Sequence, residues 1–377
     1  MNMNAKLLAL TALAASMALV SCNKENGAPD LGSPKSVTIN LANVVPATRA
    51  AGTPIADNTQ VALTDFQVLF TDGTHLYQGH DVDGEPADHY FANLEEFQAS
   101  ERDQVFHFLP AEVNQVIVVG NIGREIEVED GVTTLASIVE TLNIGEQQDA
   151  YDLYLYGEDD LTSASGTDDA GHPLYKADVT LSPRVSRIEV ASFTYNVSAS
   201  DGTRKYQSIT VNQIMLNNYY PQANSQTGAV SGTLVRPAVD VNEHTAFGLM
   251  NDAAADWSND KFVSGETLAP EVLDAAGSYT SSYSADRPVY HFFPNASDVA
   301  TTNCPQLIVN LVANDGTNEI PFYLATKGFN PDVTTDFAKI YTVSFAFDDV
   351  DLSDPEKCVE VSVSVASWDV VAVTPEF

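Results

Sequence analysis

The sequence predicts a mainly all-β chain, folded as two β-sandwich domains with one short helix in the first. Three observations carry that expectation. Apolar and polar residues alternate with period two in segment after segment, from Val37, Ile39 and Leu41 to Val359, Val361, Val363 and Val365, as in strands with one buried face. These segments are short and are broken by turn signals such as Asp72-Gly73, the punctuation of antiparallel β-structure. The length of 377 residues allows two or three units, each large enough to bury its own core.

Taken in order, residues 1–21 read as an export signal. They hold a lone Lys6 and an apolar run from Leu7 to Val20, too short for a spanning helix. Leu19-Val20-Ser21-Cys22 resembles a bacterial lipobox, which implies cleavage before Cys22 and lipidation of its thiol. A plain secretory signal with an unrelated cysteine is the alternative. No later apolar run approaches the roughly 20 residues needed to cross a bilayer, so membrane attachment would rest on the lipid and any partners.

A first strand follows at Val37, Ile39 and Leu41, and Pro46 ends any ladder because it has no N–H to give. Ala47-Thr48-Arg49-Ala50-Ala51-Gly52-Thr53-Pro54 is small, bounded by two prolines and carries one cation, a composition that suits proteolytic nicking. A cut between Arg49 and Ala50 would free the strand, so residues 22–49 read as a propeptide with a removable first strand. An ordinary strand and loop is the plain reading. At the far end, alternation through Val359, Val361, Val363 and Val365 breaks at Trp368 and resumes at Val371 and Val373 before Phe377. Residues 359–377 are therefore two strand-like pieces with a bend.

Between these ends, residues 50–182 read as the first sandwich and 183–358 as the second. Residues 60–77 and 104–121 give strand, turn and strand, and 151–156 and 175–181 alternate. Leu135, Ile138, Val139 and Leu142 fall at helical spacing, so the helix is expected over 132–142. Residues 157–173 are acidic and turn-rich and read as a surface loop. The second half offers strands at 187–196, 207–216, 229–235, 289–293, 306–312, 319–326 and 339–347. Residues 224–245, apart from that 229–235 strand, and residues 252–286 read as elaborated loops.

The formal charge of −35 argues against nucleic acid or anionic lipid as partners, since both need clustered cations. With the lipobox taking one of three cysteines, Cys304 and Cys358 remain, either bridged in an oxidising compartment or left as buried thiols. No catalytic constellation emerges. The seven histidines are scattered with no metal-ligand spacing, and no nucleophile-elbow or phosphate-cradling glycine motif is present. Asp81-Val82-Asp83-Gly84-Glu85 has alternating oxygen ligands but lacks the closing glutamate of a calcium loop. It reads as a solvated acidic turn. No metal and no cofactor are expected.

The order of parts, a lipobox at Cys22, the first strand, Thr48-Arg49-Ala50, Ser182-Pro183-Arg184-Val185 and a tail holding Trp368, resembles the major fimbrial subunits (fimbrillins, type V pilins) of the Bacteroidia over the whole chain. The resemblance implies two transthyretin-like sandwiches and a lipidated precursor on the outer membrane. It implies cleavage after Arg49 by an arginine-specific protease and loss of the first strand (Val37, Ile39, Leu41). The groove so opened is filled by the C-terminal extension of a neighbouring copy, here Val359, Val361, Val363, Val365, Trp368, Val371, Val373 and Phe377. Other copies and accessory fimbrial subunits would be the partners, in a head-to-tail filament on the cell surface. The function implied is a non-enzymatic stalk subunit supporting adhesion. The alternatives are a tip or anchor subunit, or a surface lipoprotein that binds glycans without polymerising, with Trp257, Tyr219 and Tyr220 as its aromatic platform.

Overall fold

A computed structural model describes residues 34–46, 60–99, 105–150, 152–198, 201–235, 266–268, 279–282, 288–295, 305–326, 336–353, 358–359 and 361–372. Strands dominate it. In the N-terminal half, one sheet has the order Thr162–Thr167, Pro173–Val179, Lys35–Leu41, Val105–Leu109. A second has the order Ser182–Pro183, Leu155–Asp160, Gln115–Gly120, Phe66–Thr71, Leu76–Tyr77. Both line one core, in which Val37 and Phe106 of the first sheet are packed with Val68, Phe70, Val118 and Leu155 of the second. Phe66–Thr71 is buried on both faces, which is why Val68-Leu69-Phe70 runs apolar without alternation.

In the C-terminal half, Tyr279–Ser282, Ser186–Tyr195, Lys339–Phe347 and Val361–Ser367 form one sheet. Glu266–Leu268, Ser208–Asn217, Gln306–Asn314, Glu319–Thr326 and Cys358–Val359 form the other. Ile188, Phe193, Tyr341 and Phe345 meet Ile209, Leu216, Ile308 and Leu324 in a second core. Two small sheets join distant parts of the chain. Thr141–Asn143 pairs with Gln222–Asn224, and Asp369–Ala372 lies between Gln60–Leu63 and Val45–Pro46.

Four expectations are corrected. No α-helix covers 132–142. Leu135–Ser137 is a single 3₁₀ turn, and Thr141–Asn143 goes into a sheet. Val132, Thr133, Thr134, Ile138, Val139 and Thr141 are β-branched and resist helix, while Ile138 and Leu142 are buried without one. Among the described residues of this half the α-helix is Leu94–Ala99. Asn93 Oδ1 accepts from the Glu96 amide at 2.8 Å, and Glu96 Oε2 accepts from the Ala92 amide at 2.9 Å, a reciprocal cap. Residues 157–173 are not a loop throughout, because Leu155–Asp160 runs into them and Thr162–Thr167 forms an edge strand. That strand is largely exposed and so carries no apolar alternation to read. Residues 252–286 include the strands Glu266–Leu268 and Tyr279–Ser282, while the strand expected over 229–235 shrinks to Val230–Ser231.

Candidate functional site

The first strand is interior. Lys35–Leu41 runs parallel to Pro173–Val179, from Ser36 opposite Leu174 to Leu41 opposite Val179, and antiparallel to Val105–Leu109. Val37, Ile39 and Leu41 point into the core, while Thr38 and Asn40 are exposed. Asn40 Nδ2 donates to Asp178 Oδ1 at 3.1 Å. Taking this strand out would leave two ladders unpaired above an open apolar floor, the situation that favours addition of another strand.

One end of the groove is polar. Lys35 Nζ donates to the carbonyls of Ala111, at 3.1 Å, and Val113, and lies 4.7 Å from the centre of the Tyr175 ring. Burial lowers its pKa, only partly offset by Glu112. Ser36 is fully buried, and its hydroxyl donates to Asp168 Oδ2 at 2.7 Å with His107 Nδ1 3.0 Å away. The same carboxylate oxygen takes Nδ1–H of His107 at 2.9 Å and of His172 at 3.1 Å, and Oδ1 takes the His172 amide at 2.7 Å. Burial alone would raise the Asp168 pKa. The donors from Ser36, His107 and His172 outweigh it and hold the carboxyl far below the usual range. Serine, histidine and aspartate here are not a hydrolase triad. A triad needs one ring nitrogen on the carboxylate and the other on the hydroxyl, whereas His107 turns Nδ1 to both. The set ties the first strand to its neighbours.

The tail is seated on its own chain. Val361–Ser367 pairs antiparallel with Lys339–Phe347 at a sheet edge. Val361 and Val363 are only half-buried against the second core and Val365 is 50% exposed. Trp368, at the bend, is buried, and its amide donates to the Ala338 carbonyl at 2.9 Å. Val370, which the sequence reading passed over, is fully buried, and Val371 and Ala372 pair on one side with Ala62 and Leu63 and on the other with Val45 and Pro46. Val359 lies in a two-residue strand with Cys358, whose backbone pairs with Ala325. Cys22, Arg49, Ala50, Trp257, Cys304, Val373 and Phe377 lie outside the described residues.

Trp368 packs on a buried polar group that the sequence reading did not find. Its ring meets His291 edge-on at 4.9 Å, with the Arg187 guanidinium 5.9 Å from the indole centre. Arg187 Nε is 3.5 Å from Glu189 Oε2, and Glu189 Oε1 accepts from Thr342 at 2.8 Å. His291 Nδ1–H donates to the Gln147 carbonyl at 2.8 Å, while the Gln148 amide bonds the His291 backbone. Burial first, then the Arg187 charge, pushes the His291 pKa down to about 3. The signal available was Arg187-Ile188-Glu189, two opposite charges on one strand face, which ordinarily marks a solvated face.

Other singled-out residues have local roles. Asp81 Oδ1 accepts from the amides of Asp83 at 2.8 Å and Glu85 at 3.0 Å, folding that acidic stretch as a turn. Tyr219 packs against both cores, and burial pushes its hydroxyl up to about 12.

No family model and no curated protein matches the sequence. Among solved structures, the chain is similar to a candidate cell adhesion protein from Bacteroides eggerthii at 18% identity and a TM-score of 0.48, covering 92% of this chain and 100% of that one. It is also similar to a candidate cell adhesion protein from Parabacteroides distasonis at 12% identity and a TM-score of 0.48, covering 90% and 98%. A fimbrilin from Porphyromonas gingivalis gives 12% identity and a TM-score of 0.45, covering 90% and 99%.

Proposed function

We propose that this chain is the uncut precursor of a structural fimbrial subunit that polymerises when its first strand is exchanged for a strand from another copy. The observation that carries the reading is the place of Lys35–Leu41, an interior strand paired on both sides that precedes a proline-bounded arginine in the sequence. In this reading Cys22 is lipidated and holds the precursor on the outer membrane. An arginine-specific protease cuts between Arg49 and Ala50, and the strand leaves with the propeptide. Donation from the C-terminal extension of one copy to the groove of the next does not close on itself, so it yields a filament, in which this chain is a stalk subunit supporting adhesion. Accessory subunits would cap the ends. The domains are those expected from sequence, 50–182, 183–358 and the extension 359–377.

The half-exposed first piece of the tail fits this role, since a strand held at a sheet edge leaves at modest cost. The second piece is held by Trp368, Val370 and the pairing of Val45–Pro46 with the tail, so in the uncut chain the propeptide touches both elements to be exchanged. Arg49→Ala is expected to give a lipidated, folded protein that stays monomeric under conditions where the wild type forms ladders on unboiled gels. Normal ladders from Arg49→Ala would sink the cleavage model.

A further inference from the structure

We propose that the vacated groove reads residues 357–363 of a second copy in a single register. Lys357 takes the place of Lys35 and Cys358 that of Ser36, and Val359, Val361 and Val363 take those of Val37, Ile39 and Leu41. This deepens the strand-exchange reading above and rests on it.

The two segments match position by position. Lys-Ser-Val-Thr-Ile-Asn-Leu at 35–41 faces Lys-Cys-Val-Glu-Val-Ser-Val at 357–363. Of all the lysines in the chain, only these two are followed by a small hydroxyl or thiol residue. Each position of the groove has chemistry for the replacement. The carbonyls of Ala111 and Val113 and the Tyr175 ring that receive Lys35 suit another ammonium. The Asp168–His107 pair that holds the Ser36 hydroxyl takes a thiol, which both donates and accepts weakly. On the outer face Glu360 falls at the position of Thr38, opposite Lys176, and Ser362 at that of Asn40, opposite Asp178. The first pairing joins opposite charges, and the second supplies a donor to the carboxylate that Asn40 now serves.

The adjacent registers are opposed by the same groups, and the register four residues on is the one that the Ser364→Cys control below tests. A slip of one residue turns Cys358, Glu360 and Ser362 inward and the valines outward. A slip of two residues one way sets Glu360 against the Asp168 carboxylate. A slip of two the other way puts Lys357 in the fully buried position of Val37, where an unpaired charge is costly. Exchange also moves Val361 and Val363 from half-buried seats on their own chain to the positions of Ile39 and Leu41, 4% and 7% exposed. For these two residues that gain favours exchange.

The test is a cross-strand trap. Lys176→Cys and Glu360→Cys are placed in separate proteins, each with Cys304→Ser and Cys358→Ser, and both are cut, stripped of the propeptide, mixed and mildly oxidised. A disulfide-linked pair that disappears on reduction is expected, and it should be lost when Ser364→Cys replaces Glu360→Cys. Ladders with no link through Glu360→Cys, or an equal link through Ser364→Cys, would overturn the register. Mapping of the unreduced mature protein gives a second route, because a Cys304–Cys358 bridge in the polymer would keep Cys358 out of the groove and overturn the assignment. If cut wild-type protein forms no ladders at all, strand exchange itself fails and this register falls with it.

Discussion

Cut protein stripped of residues 35–41 is expected to lose most of the stability of its N-terminal half, and to regain it when a synthetic peptide of that sequence is added. Val37, Ile39 and Leu41 are 0%, 4% and 7% exposed. At about 1.5 to 3 kcal/mol for each buried aliphatic side chain, their loss removes roughly 5 to 9 kcal/mol, on the scale of a whole domain's stability of about 5 to 15 kcal/mol. The unpaired ladders of Pro173–Val179 and Val105–Leu109 add to that deficit. Urea unfolding followed through the N-terminal half measures it, and the midpoint should fall on stripping and climb back with peptide concentration. A peptide carrying Ser36→Ala should restore less, because Asp168 and His107 would be left without the hydroxyl at a buried position, a cost of about 1 to 3 kcal/mol. An unchanged midpoint after stripping would mean that the strand is ornamental, and exchange would have no driving force.

How much of this was legible in the sequence depends on which side chains report to the solvent boundary. The first strand, Phe66–Thr71, Gln115–Gly120 and the paired strands of the second half announced themselves because their apolar positions alternate or run together. Thr162–Thr167 did not, since a largely exposed edge strand of serine, threonine, glycine and one alanine is stabilised by its ladder with Pro173–Val179 rather than by burial. The short helix was misplaced because apolar spacing at Leu135, Ile138 and Leu142 outweighed β-branching there. The signal that would have found the real one is Asn93-Leu94-Glu95-Glu96, a cap with its reciprocal glutamate. Trp368 was readable as a bend with a change of face. What it packs on was not, because Arg187, Glu189 and His291 sit on strands where charge normally marks water.

That buried group gives the second large effect: stability is expected to fall as the pH drops from about 6.5 towards 3, through His291. The folded pKa of about 3 lies below the ordinary value of 6.5. As pH falls through 6.5 the unfolded chain therefore takes the proton while the folded chain does not. The contribution is complete above 6.5, shrinks by about 1.4 kcal/mol per pH unit below it, and is gone near 3, a total of roughly 4 to 5 kcal/mol. Asp168 acts in a lower window, because its depressed carboxyl matters only below the ordinary 3.8. His89 is also lowered by burial and so also costs stability as pH falls below 6.5, and His291→Asn should therefore flatten the slope between pH 6.5 and 4 without abolishing it. Asparagine keeps an N–H donor for the Gln147 carbonyl, which separates loss of titration from loss of that bond. Since Trp368 packs on the His291 ring, its emission in a Trp257→Phe background should shift red over the same range and stay blue in His291→Asn. Equal slopes for the two proteins would show that the acid-sensitive element lies elsewhere, and a red shift persisting in His291→Asn would show that the tail leaves its seat for another reason.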